Sequence, residues 1–313
     1  MTGDDSGPFL GVILAAGKGT RIHPFSEKFP KPVLPILGKP LVQYQVEHLR
    51  DLGVRRVLIV IGYLGFEIVR TLGDGSSLGV QIEYIDQGPT LGIAHALYKL
   101  EAHIDRPFLL FLGDIFFRHR GLHEMTDLLG RDDVHGVLAV KEEPSVQAIR
   151  RNFVVLEDDQ GFVRRVIEKP KYPQTRLKGC GLYLFHPVFF DAVRRTPRTA
   201  LRDEYEITDA IQIFLDDGYR VRAARVIDDD LNLSYPRDLL DINLALLGQE
   251  NFIGEAVHIH PQAQVERSVL MDGARITTPA RVRECLLFAG VTLSSETAIE
   301  RRILTPDHLI DCR

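Results

Sequence analysis

The stretch LAAGKGTRIHPFSEKFPKP (Leu14–Pro32) places two glycines, an arginine and a proline-flanked lysine directly after an apolar run. Glycines let backbone N–H groups come close to an anion, and Arg21 and Lys31 flank the loop with positive charge. Pro30 and Pro32 stiffen the chain that carries Lys31, and a rigidly placed lysine is suited to a point where charge builds up in a reaction. Two well-known phosphate loops do not fit. A Walker A loop needs G-x-x-x-x-G-K-[ST], but Lys18 is followed by Gly19 and the first glycine position holds Val12. A dinucleotide fingerprint needs G-x-G-x-x-G, and its third position holds Ile22.

The elements that must position this loop are legible as a repeating pattern. The apolar run Phe9–Gly17 predicts a buried parallel strand, and VRRVLIVIG, Val80–Ile85 and Pro107–Asp114 predict three more. Between them, KPLVQYQVEHLRDLG predicts a helix with Pro40 at its first position, Leu41, Leu49 and Leu52 on one face and Gly53 as its stop. Leu91–Leu100 predicts another. Alternating strands and helices imply a doubly wound α/β sheet, whose ligands bind beyond the carboxyl ends of the strands. The glycine loop and Asp114 both sit at such ends.

From about residue 134 the strands VHGVLAV, FVVLEDDQGFVRRVI and GCGLYLF, with a hairpin turn at Asp158–Gly161, predict a mixed-sheet extension closing over the crevice. Helices are expected over Ile207–Asp217 and Pro236–Leu247. Beyond Asn251, aliphatic residues fall six apart at Ile253, Ile259 and Val265, again at Leu270, Ile276, Val282 and Phe288, and again at Leu293 and Ile299. The phase slips by one residue between groups. This predicts a short β-solenoid. The expected domains are a disordered tail over 1–8, a catalytic domain over 9–248 and a solenoid over 251–313.

The 313 residues carry 38 Lys+Arg against 43 Asp+Glu, a net charge of −5, which argues against nucleic acid as the partner. Three scattered cysteines, Cys180, Cys285 and Cys312, lack metal-ligand spacing and suit a reducing cytoplasm. The polar, acidic N-terminus is not a signal peptide. No apolar run approaches the ~18 residues of a membrane span.

With these motifs in order, the sequence resembles the sugar-phosphate nucleotidyltransferases. LAAGKGTR…FPKPVLPILGKP carries the resemblance, joined by Q-x-x-x-L-G-I-A-H-A at Gln87–Ala96, L-G-D at Leu112–Asp114, I-E-K-P at Ile167–Pro170, E-I-T-D at Glu206–Asp209 and LNLSYPRDLL at Leu231–Leu240. The resemblance implies a Rossmann-like mixed sheet over roughly residues 9–247, a short left-handed β-helix tail, and assembly as a homo-oligomer through that tail. It implies joining of a nucleoside triphosphate to a sugar 1-phosphate with release of pyrophosphate.

By the resemblance, Arg21 grips the leaving pyrophosphate, Lys31 stabilises charge at the reacting α-phosphate and Lys169 holds the sugar phosphate. The nucleotide set is Leu14, Ala15, Ala16, Gly17, Gly19, Thr20, Gln87 and Gly92. The sugar set is Glu168, Asn152 and Gly113. Mg2+ is the expected cofactor, with Asp114 as first ligand. Asn232 stands where many members carry the second, aspartate ligand, a departure shared with the N-acetylglucosamine 1-phosphate members. Ala-Ala-Gly favours UTP, with dTTP next. A Tyr-Gly step common before the Val-Val strand reads Asn152-Phe153 here, which leaves glucose 1-phosphate, an amino sugar or a cyclitol phosphate open as acceptor. The competing expectation is a non-catalytic regulator that binds a nucleotide sugar, whose hallmark would be loss of the cations or metal ligands.

Overall fold

The computed structural model describes residues 7–131, 133–199 and 203–313, so the expected disordered tail over 1–8 lies outside the described residues except at Gly7 and Pro8. The carbonyl of Gly7 accepts a hydrogen bond from Arg106 Nη1 at 2.9 Å. Two compact units emerge. One holds the described residues up to Gly17 together with Gln45–Asp230; the other holds Lys18–Tyr44 and Leu231–Arg313.

The first unit is built on one nine-stranded mixed sheet. Its parallel strands are β1 (Leu10–Leu14), β2 (Arg56–Ile61), β3 (Gln81–Asp86) and β4 (Phe108–Leu112). Helices α1 (Leu41–Asp51), α2 (Gly65–Leu72) and α3 (Ile93–Tyr98) fall between them. After β5 (Ile115–His119) and α4 (His123–Leu129) come β6 (Gly136–Glu142), β7 (Phe153–Glu157), β8 (Val163–Glu168) and β9 (Leu177–Phe185). The unit continues with α5 (Phe190–Arg195), α6 (Ile207–Asp216), β10 (Val221–Ala224) and β11 (Ile227–Asn232), whose last two residues belong to the second unit. The sheet order is β8-β7-β9-β4-β1-β2-β3, with β6 also on β9 and β10 on β6; β5 and β11 form a separate ribbon. The second half of the chain therefore continues the first sheet, because β9 runs antiparallel to β4. The near-continuous apolar runs of β1, β2 and β4 suit strands covered on both faces, and their interiors are fully buried. An aromatic cluster closes one side, with Phe185 stacked on Phe189 at 3.9 Å and Phe214 edge-on to Phe189.

Two helix expectations shift. Pro40 is not the first residue of α1: it belongs to a two-residue hairpin in which Pro35 pairs with Pro40, and the helix starts at Leu41. The helix expected over Leu91–Leu100 spans only Ile93–Tyr98, because Gly92 takes a left-handed φ of 107° where it packs against the Tyr205 backbone.

In the second unit, α7 (Pro236–Leu247) is followed by three short parallel sheets. Phe252 pairs with Val269, Val269 with Leu286 and Leu286 with Ile303, a step of 17 residues each time. Ile259, Ile276 and Leu293 form a second ladder, and Val265, Val282 and Ile299 a third. The coil is a β-solenoid whose turn comprises two steps of six and one of five, which is the origin of the phase slip. Leu287 rather than Phe288 therefore continues the first ladder, and Phe288 stacks on Phe25 at 5.5 Å. Corners recur with the same period. Ala256, Gly273 and Gly290 share a left-handed backbone, as do Arg267, Glu284 and Arg301. Glu284 lies 2.5 Å from Arg267 and 3.0 Å from Arg301, an alternating charge ladder along that corner. The last strand, Leu309–Asp311, turns back antiparallel on Arg302–Leu304. Among the described residues no helix is long and apolar enough to cross a membrane.

Candidate active site

The parallel registers align the ends of four strands. Leu14 stands beside Val60 and Leu112, and Val60 beside Ile85. The residues that follow therefore share one edge. Ala15 N–H donates to the Val60 carbonyl at 2.8 Å, and Gln87 N–H to the Ile61 carbonyl at 2.9 Å. Gly113 N–H donates to the Leu14 carbonyl at 2.9 Å. A Cβ on Gly113 would sit 2.6 Å from that carbonyl, so only glycine lets Asp114 follow β4 so closely beside β1. Leu14, Ala15, Ala16, Gln87, Gly113 and Asp114 are thus gathered by the sheet itself. Ala15, Ala16 and Gln87 are buried, while Gly17 is exposed.

The sugar-set residues reach the same edge by another route. Leu182 on β9 pairs with Phe111, so the earlier residues of β9 run on past the end of β4. There Lys178 pairs with Val154, and Glu168 with Phe153. Lys169 N–H donates to the Asn152 carbonyl at 2.8 Å, and its Nζ lies 3.3 Å from Glu168. Lys169 takes a left-handed φ of 44°, an uncommon conformation for a side-chain-bearing residue. The Phe153 bulk goes into the sheet: its ring fills the space beside Gly179, where a Cβ would stand 1.8 Å from Cζ. Gly92 is held against the 205 segment, where Tyr205 N–H donates to the Leu91 carbonyl.

In the second unit, Gly19 takes a left-handed φ of 61° and caps the single turn Thr20–Ile22. Lys31 opens the turn Lys31–Val33 between Pro30 and Pro32 and is 7% exposed. Its stem packs on Gly19, where a Cβ would lie 3.1 Å from Lys31 Cγ. Arg21 is exposed, with its guanidinium 5.6 Å from the Tyr235 ring centre. Asn232, three residues before Tyr235, is exposed at the end of β11.

Sequence reasoning missed three features. Tyr235, under Arg21, lies within the LNLSYPRDLL motif, but nothing in its order along the chain pairs it with Arg21. A buried ion cluster joins β6, β9 and β11: Lys178 Nζ contacts both Asp230 carboxylate oxygens at 2.7 Å, and Lys141 Nζ lies 3.3 Å from Asp230 and 3.6 Å from Glu143. Burial pulls the Lys141 ammonium down, but the Asp230, Glu143 and Asp229 charges outweigh it and hold its pKa above the ordinary value. The run DDD at 228–230 was the available signal. Third, Gln45 on α1 reaches the Asp114 turn. Elsewhere in the unit, burial and then the Glu206 charge raise Asp209, and burial followed by Lys99 and Arg198 lowers His95.

The donor chemistry can be tested against a divalent ion. Among the described residues no group of three or more His, Cys, Asp or Glu side chains could hold a metal by itself. Asp114 offers a carboxylate and Asn232 an amide oxygen, each a hard donor of the kind Mg2+ accepts, and Mg2+ takes few protein ligands and completes its shell with substrate phosphates and water.

The nucleotidyl transferase family model matches residues 10–242. The chain is 36% identical over 240 residues to the low-salt glycan biosynthesis nucleotidyltransferase Agl11 of Haloferax volcanii, covering 76% of this chain and 66% of that protein. It is 36% identical over 227 residues to the UTP–glucose-1-phosphate uridylyltransferase AglF of the same organism, covering 72% of this chain and 92% of that enzyme. The glucose-1-phosphate thymidylyltransferase of Streptomyces griseus is 30% identical over 305 residues, covering 92% of this chain and 83% of that one. A crystal structure of UDP-glucose pyrophosphorylase complexed with UDP-glucose superposes with a TM-score of 0.67 at 24% identity, over 76% of this chain and 98% of that one, and so shares the fold. The chain belongs to the nucleotidyl transferase family, among the sugar-phosphate nucleotidyltransferases.

Proposed function

We propose that the protein joins a nucleoside triphosphate to a sugar 1-phosphate, with UTP favoured and dTTP next, and glucose 1-phosphate as the leading acceptor. The observation that carries this reading is the likeness to AglF along 92% of that enzyme, with Arg21, Lys31, Asp114 and Lys169 all retained from the family motifs. A sugar phosphate oxygen attacks the α-phosphorus, the bond from that phosphorus to the bridging oxygen of the β-phosphate breaks, and pyrophosphate leaves. Both reactants are anions, so catalysis rests on positioning and charge neutralisation.

In this reading the backbone N–H groups of the Gly17–Thr20 loop and the Arg21 guanidinium hold the departing pyrophosphate. Lys31, fixed between two prolines, faces the charge that builds on the α-phosphate. Lys169 holds the incoming sugar phosphate, and Glu168 accepts hydrogen bonds from sugar hydroxyls. Ala15, Ala16, Gln87 and Gly92 read the base. Asp114 and Asn232 would hold Mg2+, which supplies neutralisation of phosphate charge when bound. Asn232 favours an amino-sugar 1-phosphate as the second acceptor. Assembly of copies through the solenoid is part of the proposal. Deletion of residues 251–313 should abolish assembly and leave turnover per folded site intact. Three buried free cysteines support residence in a reducing cytoplasm.

The test is pyrophosphate release with Mg2+, crossing five nucleoside triphosphates with a panel of sugar 1-phosphates. A strong signal for one pair identifies both substrates. Silence from folded protein that still binds a nucleotide sugar tightly would replace this reading with the regulatory one.

A further inference from the structure

Gln45 is an unusual core residue. It lies on α1 and is 1% exposed, beside the buried Leu41, Val42 and Leu49 of the same helix face. Its Nε2 donates to the Leu112 carbonyl at 2.9 Å and to the Ile115 carbonyl at 2.9 Å. An amide nitrogen carries two hydrogens, so both are spent on the two carbonyls that bracket Gly113–Asp114. Its Oε1 is buried with no hydrogen-bond partner. A residue that only filled space would be leucine or methionine and would bury no orphan acceptor. The amide earns its place by what its donors hold.

We infer that Gln45 is a positioning residue for Asp114, setting the metal affinity of the site. It clasps the backbone on both sides of the Asp114 turn, which fixes the direction in which the carboxylate leaves β4. This rests on Asp114 being the first Mg2+ ligand. Groups that orient a ligand from behind commonly change metal affinity by about 10–100-fold when removed.

The test uses Gln45→Met, which keeps length and volume and removes both donors, and Gln45→Leu, which removes both donors with a shorter apolar side chain. The readout is calorimetric binding of UTP (dTTP if the wild type turns it over faster) with Mn2+ and with EDTA. The ratio of the two affinities is the metal-dependent gain. We expect that gain to fall about 10-fold in both variants while binding in EDTA is unchanged. The Leu variant carries the test if the Met variant does not fold. Asp114→Ala is the control for the underlying assignment and should abolish the gain. A wild-type gain in the Gln45 variants beside its loss in Asp114→Ala overturns the clasp alone. A gain that survives Asp114→Ala overturns the metal assignment, and the clasp with it.

Discussion

The sheet and the solenoid solve the same problem, burying strands, in opposite ways. In the sheet each strand end carries residues that no other strand repeats, and Asp114, Asn152, Glu168 and Lys169 depend on pairings between distant segments. In the solenoid each rung asks the same of residues 17 apart, and its charges run along one corner. The lesson is where a substitution should hurt. Singular positions of the sheet and its loop concentrate the effect; periodic positions of the tail share it between neighbouring coils.

The largest expected loss of stability is at Lys178. Removing this ammonium leaves Asp230 buried with Lys141 as its remaining cationic partner among the described residues, so Lys178→Met should lose about 3 kcal/mol in denaturant unfolding. By contrast, loss of Arg267 from the tail ladder, itself part-exposed, should change stability by about 1 kcal/mol or less. Equal losses in the two would erase the distinction between the regions. The largest expected loss of activity is Lys31→Ala, with kcat down about 10²–10³-fold as for other preorganised charge donors. Near wild-type turnover in the folded variant would remove Lys31 from the chemistry.

Gly179→Ala should lose about 1–3 kcal/mol, since the new methyl would strike the Phe153 ring. In a double-mutant cycle with Phe153→Ala the two changes should couple favourably by about 1 kcal/mol; additive losses would mean that the ring does not own that space. A smaller effect sharpens the tail's side of the comparison. Ala256 sits at the left-handed corner that Gly273 and Gly290 fill in the next two coils. Ala256→Gly should therefore raise stability by about 1 kcal/mol, and a loss would show that the coils are not equivalent.

The smallest effect concerns acid. Arg56 donates to both oxygens of Glu83, at 2.6 and 3.0 Å, and these bonds hold the Glu83 carboxyl below its usual range. A lowered carboxyl stabilises the fold above its unfolded-state pKa of 4.5 and loses that contribution as pH falls through the folded value. Glu83→Gln should flatten the fall of Tm below pH 4.5 and lower Tm slightly near pH 7. An unchanged acid slope would assign the sensitivity to other carboxylates.

How much of this was readable in the sequence follows from distance along the chain. The loop from Leu14 to Pro32 is local, so residue order carries its chemistry. The parallel strands announce themselves as apolar runs, and the solenoid as a period. Gln45 was not readable, because in a helical pattern a glutamine beside valine looks like part of the polar face; its burial depends on β4 and β5 arriving beneath it. Lys178 and Asp230 are 52 positions apart and meet only once β9 and the β5–β11 ribbon are in place. Pro40 was misread because a proline before a helix suits both its first turn and the strand ahead of it.

The 17-residue step of the ladders has a consequence for how such a tail changes length. A copy of one whole coil inserted after Cys285 would keep every inward aliphatic and every left-handed corner in register, whereas one residue more or fewer would turn each later rung to the wrong face. The tail's length is a count of coils, and it changes by whole turns of 17 residues.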